Sequence, residues 1–250
     1  MQLEKSDFQR VAERLGDTPT MVIPLHFILR GRAQVYTDDG SSLRNLLIVF
    51  TYGYGEAFAF GPDSEMLTEL CSEAEVWKHH LWVPVEAAEA IVKGVKAHRT
   101  RPVEQSPQQH KTLTHHPMNF LTNPFARVLT LADLPVIEQA APGFNPELAG
   151  WESREIALRE GIGAAVVIGD ELVSLACVFA RTQRYADIAV HTLADYRRRG
   201  YSTACAALVA RGVLEAGQIP TWTVQERNLA SMRVAEKIGF QTVANSMLLL

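Results

Sequence analysis

The stretch IAVHTLADYRRRGYSTACAALVARGVLEAG, residues 188–217, decides the fold. It reads as a strand that ends near Thr192, followed by a basic loop through Arg197, Arg198 and Arg199. Gly200 then opens a helix. From Ala204 to Ala210 that helix is apolar on nearly every side, which marks it as buried, and Gly217 and Pro220 stop it. A helix start leaves several backbone N–H groups without intrahelical partners, at the positive end of the helix dipole. Gly200 lets the chain pass close to an anion without a Cβ in the way, and the arginines add charge, so the junction suits a pyrophosphate. Taken alone, the pattern fits equally well a basic, solvated turn at the start of an ordinary core helix.

The neighbouring sequence bears on that choice. Downstream, TWTVQERNLASMRVAEKIGF (221–240) reads as a strand and then a helix, with Asn228 as N-cap and Gly239 as the left-handed C-terminal residue. Met232, Ala235 and Ile238 share one face of that helix. Upstream, ARVLTLADLPVIEQAAPG (126–143) reads as a short strand and a helix with Asp133 at its N-cap, before Leu134, Val136 and Ile137. PELAGWESREIALREG (146–161) reads as a second helix ending at Gly161. AAVVIGDELVSLACVFA (164–180) is a hairpin turning at Gly169-Asp170, and YADIAVHT (185–192) is the next strand. The order is strand, helix, helix, three sequential strands, then loop, helix, strand and helix.

Within that order, R-x-x-G-x-S at Arg197, Gly200 and Ser202 resembles the acyl-CoA pyrophosphate loop Q/R-x-x-G-x-G/A of the GNAT superfamily of N-acyltransferases. The later N-x-x-S-x-x-V-A-x-K-x-G-F, from Asn228 to Phe240, resembles that superfamily's following helix. The resemblance covers about residues 126–250, and Trp222, Asn228 and AEKIGF are similar to the branch holding the zwittermicin-resistance type of acetyltransferase. It implies an α/β (α+β) fold: a mixed central sheet flanked by helices, here preceded by a smaller α/β domain.

The resemblance also implies a chemistry. The strand before the loop would splay from its neighbour, and main-chain groups near Val190 and Thr192 would bind the pantetheine of acetyl-CoA. The Arg197 loop and the amides of Arg198, Arg199, Gly200, Tyr201, Ser202 and Thr203 would hold the pyrophosphate, with Asn228 near the thioester. A neutral amine would attack directly, and a backbone N–H near Val190 would meet the oxyanion. Two positions depart from the pattern. Ser202 replaces Gly or Ala, and Ala235 stands where many members carry the tyrosine that protonates the leaving thiolate. Alanine donates no proton, but a CoA thiol is acidic enough to leave as an anion. Candidates for the base are Asp187 on the strand before the loop and Glu226 after the following one, each equally able to serve in a surface pair with Arg184 or Arg227. Trp151 and Glu152 lie in the helical region that borders the acceptor cleft in this superfamily, which makes them substrate-binding candidates. Tyr185, Tyr201 and Trp222 fit packing roles.

The first half mixes helix and strand signals: a helix over residues 4–15, a strand and turn in PLHFILRGRAQVYTDD (24–39), and two strands around a glycine-rich bend in LLIVFTYGYGEAFAFG (46–61). A helix with Ser64 as N-cap candidate, a short strand at HHLWVPV (79–85) and a helix after it follow. Gly53, Gly55 and Gly61 match no G-x-G-x-x-G and serve turn geometry. This pattern predicts an N-terminal α/β domain over 1–100, compatible with a degenerate GNAT-like unit that binds no CoA. Four prolines (Pro102, Pro107, Pro117 and Pro124) predict a linker over 101–125, leaving 126–250 as the catalytic domain.

Composition narrows the partners. At 250 residues, 47% hydrophobic and 21% charged, the chain is globular rather than disordered. A net charge of −4 gives no electrostatic reason for a nucleic-acid partner and favours a cationic small molecule only slightly. No apolar run is long enough to cross a bilayer and the first residues are charged, so a cytoplasmic setting without membrane contact is expected. Cys71, Cys177 and Cys205 make neither a disulfide framework nor a metal motif. The adjacent pairs His79-His80 and His115-His116 have the wrong spacing for ligands on one face, so no metal is expected. A homodimer is compatible with all of this. Two readings stay open: an acetyl-CoA-dependent N-acetyltransferase acting on a primary amine of a small molecule, and a non-catalytic acyl-CoA-binding sensor or regulatory module.

Overall fold

The computed structural model describes all residues except 52–54, 97–101, 117–120 and 149. They fall into two units, one of Met1–Gln109, Gln225–Arg227 and Ala244–Leu250, the other of His110–Val224 and Asn228–Val243.

The first unit begins with helices α1 (Phe8–Leu15) and α2 (Val22–Leu29). Strands β1 (Ala33–Thr37), β2 (Leu46–Phe50) and β3 (Glu56–Phe60) then pair antiparallel in sequence. Helix α3 (Ser64–Glu73) carries the chain to β4 (His80–Val83), which lies parallel to β3, and α4 (Ala88–Lys96) follows. Leu67, Leu70, Cys71 and Ile91 of the two later helices bury against Leu47, Val49, Ala57 and Leu81. The segment PLHFILR, expected as strand, is helical. Val22, Leu25, Phe27 and Ile28 are all buried, so the run is apolar on every side and has no period to tell helix from strand. Pro24 sits in the first turn, where a missing N–H costs nothing. The N-cap of α3 is Asp63 rather than Ser64. The glycine-rich bend partly lies outside the described residues, Gly53 included.

The stretch expected as linker contains a strand, β5 (Gln105–Thr112), through which the chain leaves the first unit. Its inward residues are Ser106, Gln108 and His110, so a search for alternating apolar residues passes over it. The rest of that stretch that falls on 97–101 and 117–120 lies outside the described residues.

In the second unit, β6 (Ala126–Val128) is followed by three short helices, α5 (Leu134–Glu138), α6 (Asn145–Leu148) and α7 (Arg154–Glu160). The helix expected over 146–161 is therefore two, and Ser153 caps the second through a bond from Ile156 N. Asp133 stands at the N-cap of α5 as expected, but its side chain makes no cap bond to that helix. A 3-10 turn starts earlier at Thr130, whose N–H and hydroxyl both donate to the Asp133 carboxylate. The hairpin forms as expected: β7 (Gly163–Ile168) and β8 (Glu171–Arg181) join at Gly169, φ 60°. Next come β9 (Tyr185–Thr192), α8 (Tyr201–Glu215), β10 (Ile219–Gln225), α9 (Leu229–Ile238) and β11 (Gln241–Leu249). Neighbours from β6 to β9 are antiparallel, whereas β9 and β10 are parallel with α8 as the crossover. Ala204, Ala206, Ala207 and Ala210 are buried, and their small size lets α8 lie close along β6 to β9. Inside β11 the chain re-enters the first unit, where Met247, Leu248 and Leu249 pair with Val83, Trp82 and Leu81. Residues 244–250, assigned to the second domain from sequence, thus belong with the first unit. Among the described residues no helix is long and apolar enough to cross a membrane.

Candidate functional site

Strands β9 and β10 part company inside the second unit. Their register runs Ile219↔Tyr185, Pro220↔Ala186, Thr221↔Asp187 and ends there, although β9 continues for five residues to Thr192. On its other side β9 stays paired with β8 up to Thr192. A bulge in β8, between Val178 and Ala180, lies opposite the point of divergence and bends that strand. Gly150 sits so close to the Phe179 carbonyl that any Cβ would collide with it. Because Ile219 N donates to Arg184 O, alternation turns the main chain of Ala186, Ile188, Val190 and Thr192 toward β10. The pair Thr221↔Asp187 uses the Ile188 amide, so beyond it the carbonyl of Ile188 and the amide and carbonyl of Val190 face an opening rather than a strand.

At the end of β9 the chain enters the basic loop. Arg198 has φ 64° and Gly200, the N-cap of α8, has φ 79°. No side chain caps α8, and its first intrahelical bond is from Ala204 N to Gly200 O, so the N–H groups of Tyr201, Ser202 and Thr203 point outward without helical partners. A Cβ at Gly200 would meet nothing within 4 Å, so it is the left-handed backbone that calls for glycine. Arg197 Nε donates to Thr192 O at 3.1 Å and ties the loop back to the strand. Thr192 Oγ1 lies 2.8 Å from Ser202 Oγ and 2.7 Å from Ser174 Oγ, so the serine that departs from the family loop joins strand to helix.

A cavity of about 510 Å³ opens over these groups. Of the residues expected to bind the cofactor, Val190, Thr192, Arg197, Arg198, Gly200, Tyr201, Ser202, Thr203 and Asn228 line it. Arg199 does not. Its guanidinium lies 5.2 Å over the Tyr196 ring and donates to Asp195 O. Asn228 is placed by capping: its Oδ1 accepts from Ser231 N at 3.1 Å, and Trp222 Nε1 donates to Ser231 Oγ at 3.0 Å. The lining also includes His191, Tyr196, Arg233 and Lys237, which sequence reading passed over. Ala230, Arg233, Val234 and Lys237 recur at helical spacing, so one face of α9 was legible once Asn228 was taken as its cap. His191 carried no such signal. The Phe144 ring stands edge-on to it at 5.0 Å, and burial together with Arg197 lowers its pKa, which favours the neutral ring. Four lining side chains, Arg197, Arg198, Arg233 and Lys237, are cationic and none is a carboxylate, which suits a polyanion.

The two base candidates have different settings. Asp187 is 5% exposed at the closed end of the divergence, and its Oδ1 accepts from Thr221 Oγ1 (3.0 Å) and Thr223 Oγ1 (3.2 Å). Burial pushes its pKa up to about 7, against the two hydroxyl bonds that favour the carboxylate. Glu226 belongs to the first unit, is exposed, and accepts from Gln109 Nε2. Trp151 is 3% exposed and donates its indole N–H to Val178 O at 2.7 Å, so it is a core residue that ties the helical segment to β8. Glu152 is exposed beside it; neither lines the cavity. Ala235 is fully buried in the core, so its position faces away from solvent. Among the described residues no group of three or more His, Cys, Asp or Glu could hold a metal.

Comparison with other proteins gives the class to which this chain belongs. The family model described as GNAT acetyltransferase matches residues 18–247, and the chain belongs to that family. It is 30% identical over 93 residues to the uncharacterized N-acetyltransferase YdfB of Bacillus subtilis, a match spanning 37% of this chain and 36% of that protein. A GCN5-related N-acetyltransferase-like protein from Streptococcus suis superimposes with a TM-score of 0.74 over 98% of both chains, at 20% identity. A tandem GNAT protein from the clavulanic acid biosynthesis pathway gives a TM-score of 0.63 over 100% of this chain and 96% of its own, at 13% identity.

Proposed function

We propose that this acyltransferase is an N-acetyltransferase that moves the acetyl group of acetyl-CoA to a primary amine of a small molecule by direct attack, without a metal. The uncapped start of α8 at the mouth of the β9–β10 divergence is the observation that carries this reading. Three outward amides and the neighbouring Arg197 and Arg198 fit a pyrophosphate, and past the last β9–β10 pair the Ile188 carbonyl fits a pantetheine amide and the Val190 N–H an oxyanion. Bound there, acetyl-CoA would supply a thioester carbon with a thiolate leaving group. Asp187 would take the proton of the attacking amine, directly or through water. With Ala235 buried in the core, no side chain at that position supplies the leaving-group proton.

Trp222, Asn228 and AEKIGF support a place in the zwittermicin-resistance type of branch. The first unit reads as a degenerate GNAT-like unit, supported by the likeness to a tandem GNAT protein and by the parallel β3–α3–β4 step. Calorimetry with acetyl-CoA and a thiol-release screen across polyamines, amino acids, aminoglycosides and aryl-alkylamines test the function. Binding with turnover on one amine class is expected. A wild-type chain that does not bind acetyl-CoA would overturn the reading, and tight binding without turnover on any amine would favour a CoA sensor.

A further inference from the structure

Behind Asp187 lies a second polar layer, wholly within the second unit. Thr221 and Thr223, two apart on β10, turn to the same side of the sheet, since both hydroxyls donate to Asp187 Oδ1. His110 on β5 stands on the other side of Thr223, with Nδ1 3.4 Å from Thr223 Oγ1. The bond from Leu113 N to Pro220 O keeps the end of β5 alongside β10. His110, Asp187 and Thr221 are each no more than 5% exposed. Thr223 is the first residue of β10 on this side past the last β9–β10 pair, so its hydroxyl lies where the opening begins.

Hydroxyl arithmetic gives this cluster a direction. Threonine has one proton to donate, and Thr223 gives it to Asp187. Its oxygen can then only accept from His110, which requires the imidazole proton on Nδ1. Burial holds His110 neutral, its pKa lowered to about 4, so one N–H is what it has to give. The chain of donation therefore runs His110 to Thr223 to Asp187. We propose that His110 and Thr223 are positioning residues for Asp187: the imidazole N–H commits the threonine hydroxyl to the carboxylate, which favours its ionised form against burial and aims it as the acceptor of the amine proton. This rests on the N-acetyltransferase reading and adds to it two residues from separate strands. In the step they serve, the amine nitrogen bonds to the thioester carbon, the C–S bond breaks with its electron pair on sulfur, and the amine proton passes to Asp187. That proton then neutralises the thiolate through solvent, leaving amide and free CoA thiol. Titratable groups on the strands packed here include Tyr185 and His191, two and four residues from Asp187 on the same face of β9, and Lys111 on β5, whose Nζ donates to Thr242.

The test is the titration of Asp187 in the full chain labelled with ¹³Cγ-aspartate, its resonance identified by its loss in Asp187→Asn. Thr223→Val and His110→Phe should each move the midpoint up by about one unit, because each withdraws support from the ionised form. Thr223→Ser and His110→Asn, which restore a hydroxyl and an N–H at the position of Nδ1, should return it to within a few tenths. The rising limb of kcat/KM against pH should move with the midpoint, while acetyl-CoA affinity stays unchanged. His110→Leu serves as a second donor-free variant should the phenylalanine ring disturb folding. A midpoint that ignores the loss of His110, or fails to recover in His110→Asn, overturns the proposal. Absence of acetyl-CoA binding by the wild type would instead overturn the enzymatic reading, a separate result that leaves the titration to be judged by itself.

Discussion

Each unit contains a parallel strand–helix–strand step, and the two steps treat the start of their helix in opposite ways. In β3–α3–β4 the helix begins under its own carboxylate: Asp63 accepts from Glu65 N and Met66 N, both at 3.1 Å. Asp63 N in turn donates to Asn45 Oδ1, and a Cβ at Gly61 would collide with the same asparagine, so the turn is filled. In β9–α8–β10 the helix begins at Gly200 with no cap, open space beside it and cationic side chains around it. The topology is shared, and the electrostatics are reversed. Orphan amides at a helix start attract whatever negative charge is nearest, so an internal carboxylate leaves no site for an external one. A strand–helix–strand step is thus a scaffold for anion binding only when the protein declines to cap it.

The comparison is broken most severely by giving α8 a carboxylate of its own. Gly200→Glu places a negative charge at the outward amides and forces a side chain onto a left-handed residue. Acetyl-CoA binding should weaken roughly 1,000-fold or more, which calorimetry reads directly. Next in size is the pH dependence of stability tied to Asp187. Its pKa is raised from 3.8 to about 7, so between those values the folded protein holds a proton that the unfolded chain has lost. Stability contributed by the neutral form is complete below about pH 4 and falls as pH rises toward 7, by roughly 2–4 kcal/mol. Urea melts of Asp187→Asn should show that decline flattened; an unchanged slope would mean the carboxyl is not buried as described. Arg197→Ala removes both the tie to Thr192 O and a cavity cation, and should weaken acetyl-CoA about tenfold with a shallower salt dependence. The smallest effect sharpens the contrast from the other side. Asp63→Ala should cost about 1 kcal/mol of stability. It should create no second CoA site, because the Asn45 contacts still fill the turn, and binding stoichiometry should stay at one per chain.

Sequence carried far where the chemistry is local. The hairpin at Gly169, the basic loop, the buried alanine-rich α8, the Asn228 cap and the Gly239 terminus, φ 109°, each depend on a few consecutive residues, and each formed as read. The same holds for most of the residues that line the cavity, since nine expected positions come together there. Where local signals were ambiguous, reading failed for a definable reason. PLHFILR had no period because α2 is apolar on every side, the exposed Leu29 included, and β5 had no apolar alternation because its inward residues are polar. Asp133 stands at the N-cap of α5 as its type suggests, yet its carboxylate turns back to Thr130 and gives that helix no cap bond.

Other properties depend on residues far apart in the chain, and only the tertiary structure decides them. Trp151 looked like a cleft residue until its indole N–H met the Val178 carbonyl in the core. Asp187 and Glu226 were both candidates from sequence, but desolvation and two threonine bonds set the first apart, while the second lies exposed in the other unit. The link from His110 to Asp187 spans 77 positions of sequence and passes through a third strand. The sequence by itself determined the family, the basic loop before α8 and the order of its elements, because turn residues, caps and periodicity act over a few residues at a time. Which carboxylate is buried, which strand ends belong to which unit and where the β9–β10 ladder stops were decided only on folding, because burial and strand pairing depend on partners the local chain cannot name.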